Sequence, residues 1–174
     1  AIADVKERVR HCRICYNLMD AIAAGVERTD PTSDTCSICS ADGRDRGTIM
    51  VVEQPKDLIA LEHTGSYKGL FHVLMGRISP LEGVSAADLT IADLLARVDD
   101  PVRNLGTPVA EVVLALNPTL EGDGTALYLA QELEGMAGRG IRVTRLARGL
   151  PTGSQLEFAN KSVLADAIQG RRLM

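Results

Sequence analysis

All four cysteines fall within residues 12–39, arranged as Cys12-Arg-Ile-Cys15 and Cys36-Ser-Ile-Cys39 with 20 residues between the pairs. Two residues between cysteines let both thiolates of a knuckle face one ion, and two such knuckles complete a tetrahedron of sulfur ligands at ~2.3 Å. With four protein ligands no coordination position stays open for water. The expected cofactor is therefore one structural Zn²⁺ per chain, held by Cys12, Cys15, Cys36 and Cys39. Three other uses of the same thiols compete: two disulfides, which need an oxidising compartment; a redox Cys-x-x-Cys, which normally lies beside a βαβ unit; and an iron–sulfur cluster.

Between the knuckles, Asp30-Pro31-Thr32-Ser33-Asp34 is a turn-rich stretch. A loop this polar buries little, so the ion must supply the order, and apparent zinc binding of ~10–16 kcal/mol is ample for that. Ahead of the first knuckle, Ile2, Val5 and Val9 recur at spacings of three and four, which predicts the end of an amphipathic helix over residues 1–11. Lys6, Arg8, Arg10 and Arg13 crowd the entrance to the finger. They are candidate DNA contacts, or they balance the thiolates.

Composition narrows the rest. Hydrophobic residues make up 45% of the 174 and charged residues 24%, enough for a core and too few charges for disorder. Aromatics are 3% and Trp is absent, so the core must be built from Ala, Val, Leu and Ile, which suits helix-on-sheet packing. The net charge of −4 excludes a globally basic nucleic-acid binder but hides an asymmetry: residues 1–46 carry −1, 47–136 carry −8 and 137–174 carry +5. The basic tail can attract nucleic acid or an acidic neighbour. No apolar run reaches the ~20 residues of a membrane span. Asp4, Lys6 and Glu7 interrupt the first apolar stretch, so no signal peptide and a cytoplasmic location are expected.

From residue 48 the pattern alternates. Strands are expected at 48–53, 70–74, 111–116 and 141–146, and helices at 57–63, 89–98, 122–134 and 162–168. In the 122–134 helix, Ala126, Leu127, Leu129, Ala130 and Leu133 are expected to face inward. Val-, Ile- and Leu-rich strands alternating with helices predict an α/β fold with a mainly parallel four-stranded sheet covered by helices on both faces. Ligands of such sheets bind beyond the carboxyl ends of the strands. Glu53 closes the first strand, and Asn117-Pro-Thr-Leu-Glu121-Gly122 follows the third.

A strand ending in Glu53 and a later strand followed by an acidic loop and glycine resemble the Toprim domain of topoisomerases, primases and some nucleases. A fuller set of blocks resembles the RecR recombination-repair family from the finger to the C-terminus. It comprises the four-Cys finger, Val51-Val-Glu-Gln-Pro-Lys-Asp-Leu-Ile-Ala-Leu-Glu62, Gly65-Ser-Tyr-Lys-Gly69, His72-Val-Leu, Ser79-Pro-Leu-Glu-Gly83, Asn117 to Gly122, Thr125-Ala-Leu-Tyr128, Arg148-Gly-Leu-Pro-Thr-Gly153 and Leu156-Glu157. The resemblance implies a finger over 12–39, a Toprim domain over 47–147 and a C-terminal segment over 148–174 that is a candidate subunit-exchange element. Residues 1–11 cannot hold the helix-hairpin-helix module with which RecR proteins begin, so DNA affinity and tetramer formation are expected to suffer without it. The loop between the knuckles is longer than is usual in the family, and an insertion there belongs on the surface.

Catalytic Toprim enzymes hold Mg²⁺ with a strand-end Glu and an Asp-x-Asp pair. Here the Asp positions are Asn117 and Thr119, which removes two negative charges from the would-be Mg²⁺ site, an ion that prefers carboxylate oxygens. Neither Tyr67 nor Tyr128 is placed as a topoisomerase nucleophile. The resemblance implies a non-enzymatic recombination mediator, a dimer or tetramer that acts as a clamp or scaffold with RecO and RecF to load recombinase onto single-stranded DNA at gaps. Glu53, Asp57 and Glu121 would then form an acidic patch for a basic partner such as RecO, or a residual Mg²⁺ site. The alternative is a metal-dependent nuclease or primase-like enzyme that uses Glu53 and Glu121.

Overall fold

The computed structural model describes residues 9–20, 34–136 and 140–172. It divides into two compact units, residues 1–144 and 145–174.

In the first unit, β1 (Val9–His11) pairs antiparallel with β2 (Leu18–Asp20), with Val9 opposite Asp20 and His11 opposite Leu18. Residues 9–11 were expected to end a helix. They are a strand because the knuckle folds the chain back on itself, leaving the backbone of β1 beside that of β2. A short helix α1 (Ser37–Ser40) carries the second knuckle. The main sheet then builds from β3 (Asp45–Val52), β4 (Gly69–Val73), β5 (Glu111–Leu114) and β6 (Arg142–Arg145) in the order β4-β3-β5-β6. Strand β3 runs parallel to both neighbours, with Val51 opposite His72 on one side and Leu114 on the other. Helix α2 (Pro55–His63) follows β3, α3 (Ile91–Asp99) lies between β4 and β5, and α4 (Leu120–Glu134) follows β5.

Side chains of a strand alternate between faces, and the two cores separate accordingly. Ile49, Val51, Val112 and Leu114 pack with Leu94 and Val98 of α3 and Ala126, Leu129 and Leu133 of α4. Met50, Val52, Phe71, Val73 and Ala115 face the other way, onto Leu58 of α2 and onto Ile14, Met19, Ile38 and the four cysteines of the finger. The finger therefore serves as the second cover of the sheet. In α4 the buried stripe is Gly122, Thr125, Ala126, Leu129 and Leu133, at helical spacing. Leu127, expected inside, falls off that stripe and is 62% exposed.

The second unit holds a 3₁₀ turn, Leu156–Phe158, and α5 (Lys161–Gln169), whose N-terminus is capped by Asn160 Oδ1 accepting from the Val163 amide at 2.9 Å. None of its described residues is buried, and Leu156, Phe158 and Ile168 are exposed. Among the described residues no helix is long and apolar enough to cross a membrane.

Candidate functional site

The Sγ atoms of Cys12, Cys15, Cys36 and Cys39 all lie within 4.8 Å of one another, and all four side chains are buried. A tetrahedral site with metal–sulfur bonds of ~2.3 Å has sulfur–sulfur edges of about 3.8 Å. Cys15 and Cys36 stand 3.6 Å apart, and no pair forms a disulfide. The donor set fits a four-coordinate thiophilic metal ion. The Cys36 amide also donates to Cys12 Sγ at 3.3 Å, as amides do to metal-bound thiolates.

Hydrogen bonds from Cys15, Cys36 and Cys39 hold Cys12 well below the usual thiol range. Contact with Cys12 pushes Cys15 and Cys39 up. Cys36, raised by Cys12 but lowered by Cys15 and Cys39, lies below its ordinary value. The four thiols thus share protons among themselves, and a cation at their centre is what allows all four to ionise.

The first knuckle is a tight turn in which the Cys12 amide donates to Asn17 O at 2.8 Å and the Tyr16 amide to Cys12 O at 2.9 Å. Tyr16 sits at φ 61°, a left-handed conformation that costs a non-glycine residue about 1–2 kcal/mol. Its side chain explains why glycine does not stand there. The hydroxyl donates to Asp93 Oδ2 of α3 at 2.7 Å, and the ring packs against His72 of β4 with centroids 5.5 Å apart. Burial, followed by the bond to Asp93, pushes that hydroxyl up to about 12, so it stays a neutral donor.

Two further ties fix the finger to the sheet. The Val73 amide, at the end of β4, donates to Cys15 O at 2.8 Å. Arg97 of α3, only 3% exposed, donates through Nη1 to Ile14 O at 3.1 Å and Phe71 O at 2.8 Å, and through Nε to Asn104 Oδ1 at 2.8 Å. Asn104 is itself fully buried and donates to the carbonyls of Arg46 and Thr107. Sequence reasoning missed Tyr16, His72, Arg97 and Asn104. One signal was available for Arg97, which lies on the apolar stripe of α3 with Leu94 and Val98, where a charge is out of place.

The carboxyl ends of β3 and β5 bring Glu53 and the Asn117–Gly122 loop together, as the topology requires. Glu53 is 4% exposed, and its Oε1 accepts from the Asn117 amide at 2.8 Å. Thr119 is the N-cap of α4, its Oγ1 accepting from the Gly122 amide at 3.0 Å. A Cβ on Gly122 would stand 2.1 Å from Asn117 O and 2.9 Å from Glu53 Oε1, so only glycine fits. Asp57 completes a capping box on α2, accepting from the Gln54 amide at 3.0 Å. Glu121, half-buried, lines a cavity of about 390 Å³ with Ile78, Leu81, Leu120 and Tyr128, in which Leu81 and Leu120 are largely exposed.

Of the candidate DNA contacts, Arg10 is half-buried and pairs with Asp34 at 3.6 Å, and Arg13 is exposed beside a cavity it shares with Arg97 and Arg103. Lys6 and Arg8 lie outside the described residues. The Tyr67 hydroxyl lies 3.1 Å from Thr48 O and 2.9 Å from Leu70 O, bracing β3 against β4.

The Toprim domain family matches residues 47–147, the span that carries Glu53, Asn117 and Thr119. "Recombination protein RecR" of Chlorobium limicola is 47% identical over 171 residues, which are 98% of this chain and 76% of that protein. The protein of the same name from Chlorobium phaeobacteroides is 48% identical over the whole chain and 78% of its own length. That of Chloroflexus aurantiacus is 47% identical over 99% of this chain and 74% of its own. With its cysteine quartet seated on a Toprim sheet and this degree of identity along its whole length, the chain belongs to the RecR family of recombination proteins.

Proposed function

We propose that the chain works in recombinational DNA repair as a binding platform and performs no phosphoryl transfer. The observation that carries this reading is the state of the sheet's mouth. Glu53 is buried and already holds the Asn117 amide, and the Thr119 hydroxyl caps α4. Where a Toprim enzyme would present three carboxylates to Mg²⁺, this mouth offers one carboxylate, an amide and a hydroxyl, and two of the three are engaged in holding the loop. The cysteine quartet holds a structural Zn²⁺ that fixes the finger on the sheet, because four thiolates fill the coordination sphere of the ion.

In the family's manner, the platform assembles with copies of itself and with RecO and RecF to place recombinase on single-stranded DNA at gaps. Glu53, Asp57 and Glu121 supply the acidic face for a basic partner. Glu121 and Asp57 are both half-buried, Glu121 beside the exposed Leu81 and Leu120 and Asp57 in the cap of α2, while Glu53 is buried. Residues 148–174, with apolar side chains exposed and no buried core, are the element exchanged between subunits. Arg10 and Arg13 are DNA contacts, and Lys6 and Arg8, outside the described residues, are candidates for the same role.

A cleavage assay on gapped DNA with Mg²⁺ or Mn²⁺ tests the platform reading. No cleavage is expected from the parent chain or from Glu53→Ala, and cleavage abolished by Glu53→Ala would replace the platform with a nuclease. DNA binding is read from its salt dependence: affinity should fall steeply between 50 and 200 mM salt if phosphates are contacted, about one unit of log–log slope per contact.

A further inference from the structure

Arg97 is a buried cation whose hydrogen-bond partners among the described residues include no carboxylate. Its guanidinium, 3% exposed, donates to two backbone carbonyls and one side-chain amide, while Nη2 is buried with no hydrogen-bond partner among the described residues. A charge withdrawn from water to this degree needs an opposite charge close by, since neutral carbonyls offset only part of the lost hydration. The one carbonyl it takes from the finger is that of Ile14, which lies between Cys12 and Cys15 in the first knuckle. That contact places it against the knuckle of the cysteine quartet, whereas Asp93, one turn back on α3 and lining the same cavity, accepts from the Tyr16 hydroxyl. Four thiolates around one divalent ion carry a net charge of −2, and they too are buried without an acidic-to-basic ion pair of their own among the described residues. Each buried charge supplies what the other lacks. Burial pulls the guanidinium below its ordinary value, and the charges on Cys39, Cys15 and Cys12 act against that fall.

We propose that Arg97 is the internal counter-cation of the metal centre, a positioning residue whose charge raises the affinity of the Cys12–Cys15–Cys36–Cys39 site for a divalent ion. The proposal rests on the zinc reading above and goes beyond it by assigning a role to a residue of α3, more than fifty positions from the last ligand. It also accounts for the anchoring. Asn104, locked by two backbone carbonyls, holds Nε, and Phe71 O holds Nη1, so the guanidinium is fixed against the knuckle by the sheet itself. A hydrogen-bond bracket with no electrostatic function is the competing explanation, and charge and bracket can be separated by substitution.

The experiment measures zinc affinity of the full chain by chelator competition, with circular dichroism to confirm the fold, for the parent, Arg97→Met and Arg97→Lys. Met fills the space without charge. Lys keeps the charge and gives up the planar fork. Arg97→Met is expected to bind zinc about 10–100-fold more weakly, the usual loss when a group supporting a metal ligand is removed, and Arg97→Lys should lie closer to the parent than to Arg97→Met. Equal affinity in parent and Arg97→Met overturns the proposal, as does a loss in Arg97→Lys as large as that in Arg97→Met. Should Arg97→Met fail to fold, Arg97→Lys decides alone: a loss of about tenfold or more overturns the proposal, and a smaller one upholds it. If the parent chain itself takes up no zinc, the metal reading falls and takes this inference with it. If the parent binds zinc and the variants match it, only the role of Arg97 falls.

Discussion

His72 should make the fold acid-sensitive in a window set by its surroundings. It is fully buried on β4, with Nε2 3.1 Å from Thr90 O and 3.0 Å from Thr90 Oγ1. That hydroxyl donates its proton to Val73 O at 2.7 Å, so both groups facing Nε2 are acceptors and the ring proton belongs on Nε2. Nδ1 is left as a bare lone pair with no hydrogen-bond partner among the described residues. Protonation would create an N–H there with nothing to receive it, near the guanidinium of Arg97. Burial first, and Arg97 second, lower the pKa from 6.5 to about 3, against the opposing pull of the Thr90 bond and Cys12. The unfolded chain therefore takes up this proton first as pH falls. The contribution is fully present above pH 6.5 and is lost progressively from there down to about 3. At 1.36 kcal/mol per unit, the loss reaches about 2 kcal/mol at pH 5 and about 4 kcal/mol near pH 3. Urea unfolding at pH 7 and pH 5, with zinc held constant, measures it. The parent should lose about 2 kcal/mol more than His72→Gln over that interval. The variant keeps the same cysteines, so any acid release of metal cancels in the comparison. Equal losses in the two chains would refute the assignment of a buried neutral histidine.

Cys36→Ser should abolish binding of one zinc per chain and destabilise the fold by more than any single core truncation, because ~10–16 kcal/mol of binding free energy is withdrawn; metal analysis with thermal unfolding checks this, and retention of one zinc per chain would contradict the tetrathiolate site. Gly122→Ala should cost about 1–3 kcal/mol or more, since its methyl would meet the backbone oxygen of Asn117, whereas Gly124→Ala, exposed in the same helix with nothing within 4 Å, should stabilise by about 0.5–1 kcal/mol; opposite shifts in melting temperature are the expected signature. Tyr16→Phe removes the bond to Asp93 and should cost about 1 kcal/mol in urea unfolding without altering zinc content.

Local chemistry made the finger and sheet legible in the sequence. Each Cys-x-x-Cys pair is a self-contained signal, and the strands around residues 48–53 and 111–116 announce themselves by runs of Val, Ile and Leu. Boundaries were less visible where a side chain sets them. Helix α4 begins at Leu120, two residues before the expected start, because the cap is Thr119 and Gly122 lies already inside the first turn. The strand at residues 9–11 was hidden because its pairing partner is supplied by the turn at Cys12–Asn17, and the apolar spacing of Val9 with Ile2 and Val5 suggested a helix. Hardest to read was the docking of the finger. A sequence that separates Tyr16 from Asp93, and Ile14 from Arg97, by about eighty positions carries no local trace of those contacts.

That docking alters what the metal does. Met50, Val52, Phe71 and Val73 point away from α3 and α4, and Leu58 of α2 covers only part of them. The remainder is covered by Ile14, Met19, Ile38 and the cysteines, none of which can hold its place unless the knuckles are closed. Opening the metal site would expose one face of the sheet whose opposite face carries α4, and α4 begins in the loop that holds Glu53. An ion in the quartet would thus be connected through Cys15 O, Val73 and the parallel register of β3 to the carboxyl end where Glu53 and Asn117 meet. At that mouth Glu53 Oε1 is tied to the Asn117 backbone amide, and a metal held by the quartet would lie beneath the sheet, where it would stiffen the surface that Glu121, Leu120 and Leu81 present.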